Sequence, residues 1–302
     1  MREYDYQKLQ AEQTALEGLI ENTPKEAIVD RISLQSRLAK VQQRLEEVDA
    51  NFLTKKAVIT FRGKPVYKSQ GISADFSGKA IESLNDMVSS VVASLNGKLN
   101  YMGVIPDREQ HQLMVTGTAV GSFGFEFELP RPKDLFAHRN TAETALADIQ
   151  KLFELALNGT DEDISSIVSD IHPRAVNKVS DFLGLLQRYE STFAMEYDNR
   201  LTRINTADQL NSIINRLANE NIKEYTTSFQ GEFQGFLPNS RTFEFKEVNG
   251  DIIKGKVGLD IEEPGIINRD YLYKQVSINL NAIQFGQAKP KFTLLSLENI
   301  SS

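Results

Sequence analysis

Residues 241–258 read RTFEFKEVNGDIIKGKVG. Phe243 and Phe245 alternate with Glu244 and Lys246 at the period of two of a half-buried strand, so the rings face a core and the charges face solvent. Asn249-Gly250 then separates two alternating runs, and Asn-Gly in that position is the strongest short-range hairpin signal. Working outward, further strands are expected at about 224–237, 274–285 and 291–300, with turn chemistry at Pro238-Asn239-Ser240. Five short, mostly antiparallel strands with little helix predict a small closed barrel of the SH3-like or OB-like kind over residues 222–302, because closure removes exposed edges.

The residues before the barrel read differently. From 4 to 22 an apolar stripe of Leu9, Leu16 and Ile20 predicts a helix that Thr23-Pro24 breaks. In the helix that follows, Leu34, Leu38, Val41, Leu45 and Val48 recur at spacings of 4, 3, 4 and 3. That is the heptad pattern of a narrow seam. Residues 1–52 are thus expected to form a coiled-coil-like helical hairpin, with the seam directed at a protein partner, at a second copy of the chain, or back at its own middle domain.

Residues 53–221 predict an α+β domain. AVITF and PVYK read as strands around Arg62-Gly63-Lys64, and QLMVTGTAV (112–120) and FGFEFEL (123–129) as further members of one sheet. Between them, Ala80, Ile81, Leu84, Met87, Val88, Val91, Val92 and Leu95 fill a wide helical face over 77–96. Ser77 is the expected cap and Asn96-Gly97 the stop. Pro130-Arg131-Pro132-Lys133 reads as a boundary. Three helical segments are expected over 141–190, opened by Asn140 with Glu143, by Thr160 with Asp161, Glu162 and Asp163, and by Pro173. A short hairpin, FAMEY and LTRI around Asp198-Asn199, follows, and Thr206 caps a last helix. The fold class is therefore α+β: helical hairpin, α+β centre with a helical segment, terminal barrel.

Composition narrows function. Across 302 residues, 40% are hydrophobic and 25% charged, the balance of an ordinary globular chain. The sequence contains no cysteine, which excludes disulfide frameworks, thiol nucleophiles and thiolate-held metals. With a polar N-terminus and no run of membrane-spanning length, a cytoplasmic location without membrane attachment is expected.

Candidate chemistry is sparse. The three histidines, His111, His138 and His172, show no zincin spacing. Gly117, Gly121 and Gly124 around Ser122 lack the Lys-Ser/Thr ending of a phosphate loop, and a bulge or tight hairpin explains them better. Asp107, Glu109 and His111, or Glu244 with Lys246, could serve a metal-dependent hydrolase or nuclease, although in a half-buried strand Glu244 and Lys246 are simply the solvent face. From Ala50 to Ala74 there is no acidic residue, while Lys55, Lys56, Arg62, Lys64 and Lys68 fall inside. That interval could follow phosphates with Phe61 or Tyr67 as a stacking face, or its lysines could protect a strand edge. The net charge is −7, and the barrel carries nine basic against ten acidic residues, so overall charge gives nucleic acid no support.

The layout resembles that of accessory subunits in bacterial multi-protein systems, defence and toxin–antitoxin modules among them; the resemblance supplies no site residue. The leading expectation is a non-enzymatic interaction protein with no cofactor and no catalytic residues. In this reading it contacts a protein partner or itself through the seam (Leu34, Leu38, Val41, Leu45, Val48) and through the barrel. Nucleic-acid binding by the barrel or by Lys55, Lys56, Arg62, Lys64 and Lys68 is the alternative, and a metal-dependent hydrolase the second alternative.

Overall fold

The computed structural model describes residues 3–24, 27–46, 55–119, 123–129 and 141–301. Val48, Gly121, Ser122, residues 130–133, His138 and Asn140 lie outside them.

Helices α1 (Glu3–Asn22) and α2 (Ile28–Glu46) pack antiparallel. Arg37 pairs with Glu12, and the Arg31 guanidinium donates to the carbonyls of Ile20 (3.0 Å) and Thr23 (2.8 Å) at the end of α1. Leu16 and Val41 are buried, yet neither belongs to the cores of the rest of the chain.

The middle of the chain supplies β1 (Lys56–Gly63), a two-stranded ribbon of β2 (Val66–Tyr67) and β3 (Gly71–Ile72), α3 (Ala74–Leu95), β4 (Met114–Ala119) and β5 (Phe123–Glu128). Then follow α4 (Thr141–Asn158), α5 (Asp161–Val168), α6 (Pro173–Arg188), β6 (Ser191–Tyr197), β7 (Arg200–Ile204) and α7 (Ala207–Arg216). The sheet is antiparallel in the order β4-β5-β1-β6-β7. Alternation sends Ala57, Ile59, Phe61, Phe127, Phe193 and Met195 into one core with α3, α4 and α6, where Phe193 packs edge-on against Phe153 and Phe182.

Two expectations need correcting. The PVYK segment does not extend the main sheet but pairs only with Gly71–Ile72. Helix α3 starts at Ala74 with Ser73 as its cap, one turn before Ser77, because Phe76 lies four residues ahead of Ala80 on the same buried stripe. The FAMEY–LTRI hairpin forms as expected, and its first strand, β6, pairs with β1 and so joins the sheet. Other signals match the structure. Thr160 and Asp163 form a reciprocal capping box, Pro173 occupies the first turn of α6, Thr206 caps α7, and the strand register slips between Val115 and Gly117, placing Gly117 at the bulge.

The last third forms β8 (Ile222–Leu237), β9 (Thr242–Glu247), β10 (Ile252–Val257), β11 (Gln275–Phe285), β12 (Lys291–Leu294) and the short β13 (Ile300–Ser301), with a π-helical turn at Ile267–Tyr271. Pairing runs β8–β9–β10–β12–β11 and back to β8, a closed five-stranded barrel in which only β10–β12 is parallel. Phe233, Phe243 and Phe245 meet inside it at ring centroid distances of 5.5 Å and 5.1 Å from Phe233. Gly255 makes this fit: a Cβ there would lie 2.4 Å from the Phe243 ring. In the β9–β10 turn Gly250 has φ +94° while Asn249 stays at negative φ, so the turn is not the two-residue form with both residues left-handed.

The barrel is fastened to the helices through the β11–β12 loop. The N–H groups of Gln287 and Lys289 donate to Asp161 and Glu162 at the first turn of α5, and Phe285 enters the larger core. Acids at a helix start suit its dipole; here they also hold the neighbouring unit.

Candidate binding groove

The outer face of the barrel carries a groove of about 790 Å³. Its floor comes from the outward residues of β9 and β10, Thr242, Glu244, Lys254 and Lys256. The end of β8 and the start of β12 flank it, and Ser169-Asp170, between α5 and α6, form a wall. At the bulge between Phe233 and Gly235, Asn268 of the π-helical turn closes a double hydrogen bond on Phe236: its carbonyl accepts from the backbone N–H (2.8 Å) and its amide donates to the backbone carbonyl (2.9 Å). That clamp fixes the course of β8. It leaves Leu237 at the rim, 66% exposed.

Three lysines line the groove, and each has a carboxylate. Lys254 pairs with Glu244 across the β9–β10 rung at 2.8 Å, Lys256 with Asp170 of the facing wall, and Lys291 with Glu162 at 3.6 Å. The rings nearby are committed inward: Phe236 and Phe243 are buried, and the half-buried Phe292 packs edge-on to Phe229 at 5.2 Å. The groove thus offers backbone, hydroxyl and apolar surface, with two of its lysines paired to carboxylates of its own lining and the third, Lys291, to Glu162 outside that lining.

The residues singled out in the sequence are dispersed. Leu34, Leu38 and Leu45 are half-buried and Val41 buried, on the side of α2 turned to α1. The outward apolar residues of the hairpin are instead Leu19, Ile28, Val29 and Ile32, near its turn. In the basic interval Lys55 pairs with Asp198 (2.9 Å), Lys56 with Glu126, and Lys64 with Glu190 (2.9 Å). Arg62 and Lys68 are exposed, Phe61 is buried and Tyr67 is exposed. These carboxylates lie on other strands and loops, so the run looked uncompensated in sequence.

Asp107 is engaged by Lys98 at 2.8 Å, whose hydrogen bond holds its carboxyl below the usual range. Burial lowers the His111 imidazole. Among the described residues no three His, Asp or Glu side chains gather at ligand distance. Glu244 and Lys246 point outward from β9 while Phe243 and Phe245 point in, as alternation requires.

His172, at the helix start before Pro173, is half-buried. It caps α6, with Nδ1 accepting from the Arg174 N–H (3.1 Å), and its ring meets that of Tyr101 at 4.4 Å. Tyr101 in turn donates to Glu224 of β8 at 2.6 Å; burial first, then that bond, pushes its hydroxyl up to about 12. Burial pushes the His172 imidazole below its ordinary value of 6.5, with Glu224 opposing and Arg174 assisting. The unfolded chain therefore binds more protons near that value, so stability falls as pH drops through 6.5 toward the lower folded value. The melting temperature should decline between about pH 7 and about pH 5.5, and should decline less in His172→Asn, which keeps a capping acceptor. Scanning calorimetry at several pH values measures both.

Compared with known proteins, the chain matches no family model, no curated protein and no solved structure. Among the described residues no helix is long and apolar enough to cross a membrane.

Proposed function

We propose that the chain is a non-enzymatic binding protein whose barrel groove receives an extended segment of a partner polypeptide, with the helical hairpin as a second contact. The observation that carries this reading is the pairing of Lys254, Lys256 and Lys291 with carboxylates. A phosphate backbone gains affinity from cations free to replace its counterions. A polypeptide needs hydrogen-bonding edges, small apolar pockets and no net charge of one sign.

A second reading has one observation in its favour. The ring order, with its single parallel pair between the third and fifth strands, supports an OB-like rather than SH3-like assignment, and the groove lies over the second and third strands, where OB barrels take oligonucleotides. That support is analogy of fold. The neutralised lysines and inward rings weigh against it.

Selection of random linear peptides displayed on phage tests the proposal. Peptides should be enriched on the wild-type protein and lose binding to Leu237→Glu, which sets a charge at the exposed rim without touching the core. Failure to enrich, together with salt-sensitive binding of a mixed-sequence single-stranded oligonucleotide, would decide for the second reading.

A further inference from the structure

The groove is not the place where the barrel leaves backbone groups unclaimed. Strand β8 pairs with β11 from Ile222 to Glu232, whereas β9 covers its other side only from Gly231 onward. Beside that end the Val248 N–H bonds the Gln230 carbonyl at 3.0 Å. Between Ile222 and Gln230, no described strand lies on the side away from β11.

Native sheets blunt such an edge with proline, a bulge or clustered lysines. This stretch, IKEYTTSFQ, has no proline and one lysine, and its bulge comes only after Phe233. Tyr225, Thr226 and Ser228 are exposed. The loop held beside Glu224 by Tyr101 and by the Arg174 guanidinium, which bonds the carbonyls of Asn100 and Gly103, exposes Tyr101, Met102 and Val104.

We infer that a second copy of this chain pairs antiparallel along the free edge of β8, about a two-fold axis through Thr226. A row of unclaimed N–H and C=O groups on a sheet edge is a template that another extended backbone matches along its whole length. A symmetric antiparallel pair must centre on a residue that faces itself, since side chains alternate. Centring on Thr226 sets Tyr225 opposite Thr227, Glu224 opposite Ser228 and Lys223 opposite Phe229 of the other copy. No like charges meet, and the threonine–threonine and aromatic–β-branched rungs are of the kind that stabilises antiparallel sheets. The apolar side chains of Tyr101, Met102 and Val104 flank the strand pair. An edge of this length buries less than a standard interface, so a weak, concentration-dependent dimer follows.

Light scattering with size-exclusion chromatography, loaded at up to about 100 μM, tests this. The wild-type mass should rise from 34.0 kDa toward twice that with concentration. Thr226→Lys and Thr226→Glu, at an exposed position, should each remain monomeric with unchanged circular dichroism, because each places like charges face to face. Mixing the two should restore the dimer. A wild-type monomer throughout, a dimer indifferent to Thr226→Lys, or a mixture that stays monomeric would each overturn the inference.

Discussion

Phe233→Ala is expected to lower stability by about 3–5 kcal/mol, the cost of emptying the space of a fully buried ring that cannot be refilled. Phe233 is inaccessible and stands edge-on to both Phe243 and Phe245. Its backbone is equally constrained: the carbonyl accepts from the Tyr273 N–H at 3.0 Å, and the next residue opens the β8 bulge. A barrel closed on every side has no spare strand to move inward, so the cavity persists and the T-shaped contacts are lost as well. Urea unfolding followed by circular dichroism should show the drop in midpoint. Phe229→Ala, at a half-buried ring that meets only Phe292 in an aromatic contact, should cost clearly less. Equal effects of the two substitutions would contradict the barrel packing.

Arg216→Ala should cost about 2–3 kcal/mol, because one charged fork satisfies several acceptors that the substitution leaves unpaired. The guanidinium at the end of α7 donates to the carbonyls of Leu155 (3.3 Å), Ala156 (3.0 Å) and Gly159 (2.9 Å), which close α4. It also reaches Asp161 Oδ1 at 3.3 Å, on the residue whose other oxygen accepts from Gln287 of the barrel loop. Loss of the arginine therefore frays the end of α4 and loosens the carboxylate that fastens the barrel. Arg216→Lys should recover little, since a single ammonium cannot span the acceptors. The midpoint of unfolding measures the first effect, and faster hydrogen exchange at the Gln287 amide the second.

How far the sequence discloses this fold depends on the range of the interaction. Features set within a few residues read correctly: the capping box at Thr160, Pro173 at a first turn, and the phenylalanine alternation in 243–245, where side-chain period and burial coincide; in 123–129 only Phe127 of the three rings is buried, and Glu126 and Glu128 are half-buried rather than turned out to solvent. Features set by distant partners did not. Nothing local in FAMEY says that it pairs with residues 57–61, and nothing in 252–257 announces a parallel neighbour at 292–294. The ring closure depends on that parallel pair.

The candidate groove was hidden for the same reason. Lys256 and Asp170 are 86 residues apart, and Lys64 and Glu190 are 126 apart, so lysines that look free on paper are paired in space. The heptad seam was visible, but a repeat of this length does not name its partner, and α1 occupies the side where the described seam residues lie.

Amide chemical-shift mapping of the labelled protein against a selected peptide tests the central claim most directly. The account predicts saturable shifts centred on residues 242–244 and 254–256, extending to Ser169 and Asp170, and abolished by Leu237→Glu. Shifts confined to another face, or none with peptide but strong ones with an oligonucleotide, would contradict it.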